Sequence, residues 1–185
     1  MKVSFIGLGV MGYPMSGHLI SKNNGLEVKV YNRSIQKTEK WVSEFNGILT
    51  KTPAEAAENS DIVFMCVGND KDVDQVVRGD EGIMSSIPEN SIIVDHTTAS
   101  AKIALDLYDF CKSTKNVSFI DAPVSGGQAG AENGQLTIMV GGDEYSYKKI
   151  EPLLKSYAKN STLIGKSGSG QLAKMVNQIC IAGLL

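Results

Sequence analysis

Cysteine is scarce: three in 185 residues, at positions 66, 111 and 180. An odd number at such wide spacing fits no zinc-ligand pattern and argues against a disulfide framework. Free, buried thiols in a reducing compartment are expected instead. An excess of charge of one sign is lacking too. Lys and Arg number 18 against 20 Asp and Glu, a net charge of −2, so no partner nucleic acid or anionic membrane surface is expected. No apolar run approaches the roughly 20 residues of a membrane span. There is no solenoid repeat and no low-complexity tract. Met1-Lys2 enters an apolar strand at once, so no signal or transit segment is expected, and the cytoplasm is the expected location. What these absences leave is a globular domain with a substantial core, alone or with an appendage: 42% hydrophobic and 21% charged residues are ordinary values for that class.

Glycine, by contrast, is plentiful and clustered. Val3-Ser4-Phe5-Ile6 is a short apolar run, followed by Gly7-Leu8-Gly9-Val10-Met11-Gly12 and a helical stretch to about Lys22. In a G-x-G-x-x-G turn of this kind, Gly7 permits a tight exit from the strand. Gly9 omits the Cβ that would keep a pyrophosphate off the backbone, and Gly12 lets the helix pack closely. The free N–H groups and positive dipole end of the helix then face the phosphates. The pattern alone leaves a flexible glycine turn open; the strand before it and the helix after it favour dinucleotide binding.

Further along, strand and helix periodicities alternate. Strands are expected at 27–31, 48–49, 61–67, 91–94, 117–120, 136–140 and 161–164. Helices are expected at 35–45 behind Ser34, in a short turn opening at Pro53, and at 71–77, 100–112, 143–158 and 171–185. Pro152 should kink or divide the helix at 143–158. The continuous apolar run at 61–67 suits a central strand buried on both faces. Such βαβ alternation with right-handed crossovers predicts an α/β fold: a doubly wound, Rossmann-type, mostly parallel sheet. Ligands then bind beyond the carboxyl ends of the strands, which singles out the turns after residues 6, 31, 67, 94 and 120.

After strand 2 the chain reads Asn32-Arg33-Ser34. No carboxylate stands there to take a ribose 2′-OH or repel a 2′-phosphate, while Arg33 offers a planar cation and Ser34 a hydroxyl. NADP(H) is therefore expected over NAD(H), against the alternative of a solvated Arg. Val67-Gly68 and Thr98 should contact the cofactor further along the cleft. His96 invites a role as base, yet a surface or capping histidine is the expected reading. Ser125, Gly126 and Gly127 can form a backbone N–H nest for a carboxylate, or simply a tight turn. In Gly168–Gln178, helical spacing puts Lys174, Asn177, Gln178 and Ile181 on one face and Leu172, Met175, Val176 and Ile179 on the other. A lysine desolvated beside a nicotinamide can donate a proton to a carbonyl oxygen; an ordinary solvated lysine is the alternative.

Three stretches together resemble the β-hydroxyacid dehydrogenase family, which includes 3-hydroxyisobutyrate dehydrogenase and the tartronate, glyoxylate and succinic semialdehyde reductases. They are FIGLGVMGYPM at 5–15, DAPVSGGQAGAENGQLTIMVGG at 121–142 and GSGQLAKMVNQ at 168–178. The resemblance implies that the 7–12 turn (with Leu8, Val10 and Met11) binds the dinucleotide. It implies that Ser125, Gly126 and Gly127 hold the substrate carboxylate, and that Lys174 is the catalytic acid/base with Asn177 beside it. The 6-phosphogluconate dehydrogenases share some of these features but usually carry a His-Asn pair where this chain has Asn177-Gln178. The expected organisation is an NADP-binding domain over 1–165, then the start of an interdomain helix over 166–185, the family's helical C-terminal domain being absent. The expected function is hydride transfer between NADP(H) and a small carboxylated hydroxyacid or semialdehyde. A non-catalytic NADP-binding module is the alternative. The apolar end of the last helix suggests a homodimer contact. No metal is expected.

Overall fold

The computed structural model describes residues 1–184; Leu185, which the periodicity placed in the last helix, lies outside the described residues. The first half is the expected alternation with one short helix, α5, added: β1 (Lys2–Ile6), α1 (Gly12–Ser21), β2 (Glu27–Tyr31), α2 (Ile35–Phe45), β3 (Ile48–Leu49), α3 (Pro53–Ala57), β4 (Ile62–Met65), α4 (Asp70–Arg78), α5 (Ile83–Ser86) and β5 (Ile92–Asp95). The second half continues with α6 (Ala101–Lys115), β6 (Ser118–Asp121), β7 (Val124–Ser125), α7 (Gly127–Glu132), β8 (Leu136–Gly141), α8 (Glu144–Leu154), β9 (Ala158–Gly165) and α9 (Ser169–Leu184).

The sheet order is β3-β2-β1-β4-β5-β6-β8-β7, with β9 paired to β8. The first six strands are parallel and follow the doubly wound 3-2-1-4-5-6 order. β8 then runs antiparallel to β6 and β7, and β9 parallel to β8. Alternation along the strands builds two cores. Val3, Phe5, Val28, Val30, Ile62 and Phe64 face α1 and α2, where Met15, Leu19 and Trp41 meet them. Ile6, Val63, Met65, Ile93 and Phe119 face the other way, against Val73, Val77, Ile83 and Leu107. β4 and β5 are buried throughout, which is why their sequences are apolar without alternation.

Local chemistry sets the helix boundaries. The Thr52, Asn69 and Ser100 side chains accept first-turn N–H groups of α3, α4 and α6. Asn46 and Asn116 close α2 and α6 in the left-handed conformation. Ser34 stands at the start of α2 as expected, but its hydroxyl donates to Gln36 Oε1 (2.9 Å) and caps nothing.

Four local expectations need correction. The helix expected over 143–158 ends at Leu154 with Pro152 in its last turn, where little helix remains to be broken. Beyond it Tyr157 is drawn into the core, and β9 starts at Ala158 rather than Ser161. The segment after Gly126 is not turn alone: Gln128, Ala129, Ala131 and Glu132 are good helix formers and make α7. α5 and β7 are four and two residues long, too short for a periodicity to register. Cys180 is exposed rather than buried, while Cys111 is buried and Cys66 half-buried.

Candidate functional site

The strand–turn–helix at 3–21 gives each motif glycine a measurable reason. Gly7 has φ +94°, and a Cβ there would sit 2.2 Å from the Cys66 carbonyl oxygen. At Gly12 a Cβ would lie 1.9 Å from the Gly7 carbonyl oxygen, so α1 could not seat against the turn. At Gly9 a Cβ would meet nothing within 4 Å. The space it would enter is open groove. The Leu8 N–H donates to Asn32 Oδ1 at 2.9 Å, and Asn32 Nδ2 donates to the Ser34 carbonyl at 3.2 Å. Asn32 thus staples the first turn to the second. Among the described residues no hydrogen bond uses the N–H groups of Gly9, Val10 or Met11. These donors at the start of a helix suit an anion.

A groove of about 750 Å³ runs from this turn across the carboxyl ends of β1, β2 and β4. Of the twelve residues expected to hold the cofactor, it brings together Gly7, Gly9, Val10, Met11, Gly12, Asn32, Arg33, Ser34, Val67 and Gly68. Leu8 is not among them: its side chain is in the core. Thr98 is exposed on the β5–α6 loop, outside the groove lining. Lys37, one turn into α2, joins Arg33 and Ser34 in the lining. Nothing in the turn pattern pointed to it except helical spacing from Arg33. The lining also carries Asp72, Asp80 and Glu81. Asp72 lies 3.9 Å from Arg33 and presses on Gly68, where a Cβ would lie 2.3 Å from its Oδ2. The sequence reading found no carboxylate facing Arg33; the fold supplies one from α4.

His96 is neither a surface nor a capping residue. It is 1% exposed and stacked on Phe64, ring planes 1° apart. A ring nitrogen facing a carbonyl must carry the proton, so Nδ1 donates to the Ala122 carbonyl (2.7 Å) and Nε2 accepts from the Tyr157 hydroxyl (2.9 Å). Both nitrogens are committed, and burial lowers the imidazole pKa to about 4. It holds β5, β6 and the start of β9 together as a neutral group.

Two buried carboxylates end adjacent strands in register, Asp95 on β5 and Asp121 on β6. Burial drives the Asp95 pKa up to about 7, partly offset by bonds from Thr97. Burial raises Asp121 as well, against its backbone donors. Asp121 Oδ1 accepts the Gly168 N–H (2.7 Å) and Oδ2 the Gln171 N–H (3.0 Å). It therefore clamps the start of α9. Sequence reasoning passed over both residues. The available signal was a carboxylate terminating an apolar strand, which must find donors when buried.

Ser125, Gly126 and Gly127 lie where β7 turns into α7, with both glycines at positive φ (131° and 61°). β7 pairs with β8 and α9 packs on β8, so one strand carries both the glycine turn and the Lys174 helix. Lys174 is 8% exposed, and its burial lowers the ammonium pKa. Its Nζ donates to Gln178 Oε1 at 2.7 Å, and Asn177 Nδ2 donates to the same oxygen at 3.1 Å. The lysine's partner is thus Gln178 rather than Asn177. A buried ammonium with one amide partner can give up a proton, whereas a salt-bridged one would hold it. Among the described residues no His, Cys, Asp and Glu cluster could hold a metal ion.

Comparisons agree with this geometry. The chain is 52% identical over 184 residues to an uncharacterized oxidoreductase of Shewanella frigidimarina, covering 100% of this chain and 62% of that protein. It is 35% identical over 184 residues to 2-hydroxy-3-oxopropionate reductase of Escherichia coli K12, covering 98% and 61%. Mycobacterium tuberculosis 3-hydroxyisobutyrate dehydrogenase, solved with L-serine, superposes with a TM-score of 0.88 at 28% identity, covering 98% of this chain and 60% of that one. The chain therefore spans about three-fifths of the length of these relatives. The family described as the NAD binding domain of 6-phosphogluconate dehydrogenase matches residues 2–165. With that match over a doubly wound sheet and an intact glycine turn, the chain belongs to this NAD-binding family.

Proposed function

We propose that residues 1–165 bind NADP(H) in preference to NAD(H), and that 166–185 begin an interdomain helix bringing Lys174 to the reacting carbonyl. The reaction is hydride exchange between NADP(H) and a small carboxylated hydroxyacid or semialdehyde. The observation that carries this reading is the burial of Lys174 with no carboxylate partner among the described residues, on a helix clamped at the carboxyl end of β6. The bound nicotinamide would supply or accept the hydride. Lys174 donates a proton to the carbonyl oxygen, or takes it back in the reverse direction. Ser125, Gly126 and Gly127 hold the carboxylate through backbone N–H groups and one hydroxyl. Asn177 hydrogen-bonds the substrate hydroxyl or steadies Gln178. On the cofactor side, the open N–H groups at 9–11 would hold the pyrophosphate, and Arg33, Ser34 and Lys37 would hold the 2′-phosphate. The names of the relatives, a 2-hydroxy-3-oxopropionate reductase and a 3-hydroxyisobutyrate dehydrogenase, support the substrate class.

A second reading is an NADP-binding module without turnover, resting on the match of residues 2–165 to an NAD binding domain alone. One series separates the two. NADPH and NADH are titrated by fluorescence, then glyoxylate, succinic semialdehyde and 3-hydroxyisobutyrate are assayed. Lys174→Ala should leave NADPH affinity unchanged and lower turnover by about 10²–10⁴-fold. Binding with no turnover in the parent chain selects the module, and tighter NADH than NADPH refutes the cofactor preference. Free thiols at 66, 111 and 180 suit the cytoplasm we assign, and no helix among the described residues is long and apolar enough to cross a membrane. We also assign a homodimer contact to the exposed apolar face of α9.

A further inference from the structure

The side of α9 that the domain covers is polar. Gly170, Gln171 and Lys174 are its buried residues, while Leu172, Met175, Val176 and Ile179 are at least half exposed. Hydrogen bonds, rather than an apolar stripe, fix the start of this helix. Asp121 supplies one set, at the Gly168 and Gln171 N–H groups. The Gln171 side chain supplies the other. It is 2% exposed; its Oε1 accepts the Ala99 N–H at 3.1 Å and its Nε2 donates to the Thr97 carbonyl at 2.7 Å. These two backbone groups flank the exposed Thr98. The Thr97 hydroxyl in turn accepts the Val67 N–H at 3.0 Å, beside the groove. An amide is suited to this place: one acceptor and one donor on a flat group, with no charge to bury.

We propose that Gln171 is a positioning residue joining the 97–99 loop to Lys174, so that a dinucleotide in the groove, whose lining residue Val67 donates to the Thr97 hydroxyl, sets the place of the lysine amine. This rests on the dinucleotide reading above. Lys174 follows Gln171 by one helical turn, and the two share the covered face of α9. With polar contacts holding that face, a shift of the loop passes to the helix through the amide. Gln171 touches neither the substrate nor the reacting atoms; it acts through Thr97, Ala99 and its own helix.

The test uses the whole chain with Gln171→Met, which keeps the length and loses both bonds, and Gln171→Asn, whose amide is one methylene short. NADPH binding is followed by fluorescence. Hydrogen exchange over 168–178 and acylation of Lys174 by an amine reagent are read by peptide mass spectrometry, with and without saturating NADPH. In the wild type NADPH should slow exchange over 168–178 and change the Lys174 labelling rate about fivefold or more. In both variants NADPH should still bind while both responses vanish. A purely structural role would lower the melting temperature and leave the responses in place, and that outcome overturns the proposal. So does a wild type whose α9 ignores bound NADPH. If Gln171→Met fails to fold, Gln171→Asn decides alone. Failure of NADPH and NADH to bind the wild type overturns the dinucleotide reading and the link with it, a result distinct from bound NADPH without response.

Discussion

Gly9 and Gly12 are three residues apart and are kept small for different reasons. Gly12 has the Gly7 carbonyl against it, whereas Gly9 has only open groove. Gly12→Ala should therefore cost about 2–4 kcal/mol of stability, as overpacking against backbone does. Gly9→Ala should melt like the wild type and yet lose NADPH affinity; an equally large stability loss at both positions would show that Gly9 is structural. His96 and Asp95 are a second contrast at this scale. The folded-state pKa of His96 is lowered to about 4, so its contribution falls as pH drops from about 6.5 to 4. The folded-state pKa of Asp95 is raised to about 7, so its contribution is fully present at low pH and falls as pH rises from about 4 to 7. The two oppose each other over the same window. Asp95→Asn keeps an acceptor for Thr97 and removes one side of the balance. Its stability relative to wild type should climb between pH 4 and 7, by about 1.4 kcal/mol for each pH unit in mid-window; chemical denaturation at several pH values would measure it. A difference that stays flat refutes the assignment.

Between elements, the groove is an electrostatic contest. The β2–α2 turn brings Arg33, and the first turn of α2 brings Lys37, to the groove that α4 lines with Asp72. Arg33 is 90% exposed and holds Asp72 only loosely at 3.9 Å, so its guanidinium is free to turn to a phosphate. Arg33→Ala should weaken NADPH about tenfold or more, the worth of a hydrogen bond to a charged group. NADH should hardly change. Asp72→Asn should act in the opposite sense and tighten NADPH a few-fold at low salt, fading as salt screens the groove. Equal effects on NADPH and NADH would mean that neither residue faces the 2′ position. α9 shows the same rule from the opposite side. Its covered face is polar, and its placement depends on Asp121 and Gln171 rather than on buried apolar area.

For the molecule as a whole, Leu172, Met175, Val176 and Ile179 form an apolar exposed face on α9, and such a face tends to be covered. The 185-residue chain should therefore sediment as a concentration-dependent dimer, and Val176→Lys with Ile179→Lys should return it to a monomer without changing NADPH binding. A monomer at all concentrations refutes the homodimer. Much of the fold was legible from position alone. The alternation of apolar runs with helical periods fixes a doubly wound sheet, because periods of 2 and 3.6 residues and right-handed crossovers leave few arrangements. The Gly7–Gly12 turn was legible for the same reason, since its chemistry is local: three small residues at fixed offsets between a strand and a helix. Arg33 was legible beside it as part of the turn after β2, which lines the groove. What the sequence could not show is what separate elements do to one another. Asp72 reaches Arg33 from α4, Gln171 reaches Thr97 and Ala99 across 72 to 74 residues, and Asp121 reaches Gly168 across 47. His96 looked like a surface residue because nothing nearby in the chain asks for it; its partners, Ala122 and Tyr157, are 26 and 61 residues away. The sequence by itself determined the dinucleotide fold and the turn that opens it, since both follow from short-range periodicity and glycine geometry. The tertiary structure alone decided which polar groups are buried together, because burial, and the hydrogen bonds it makes obligatory, depend on packing between distant elements.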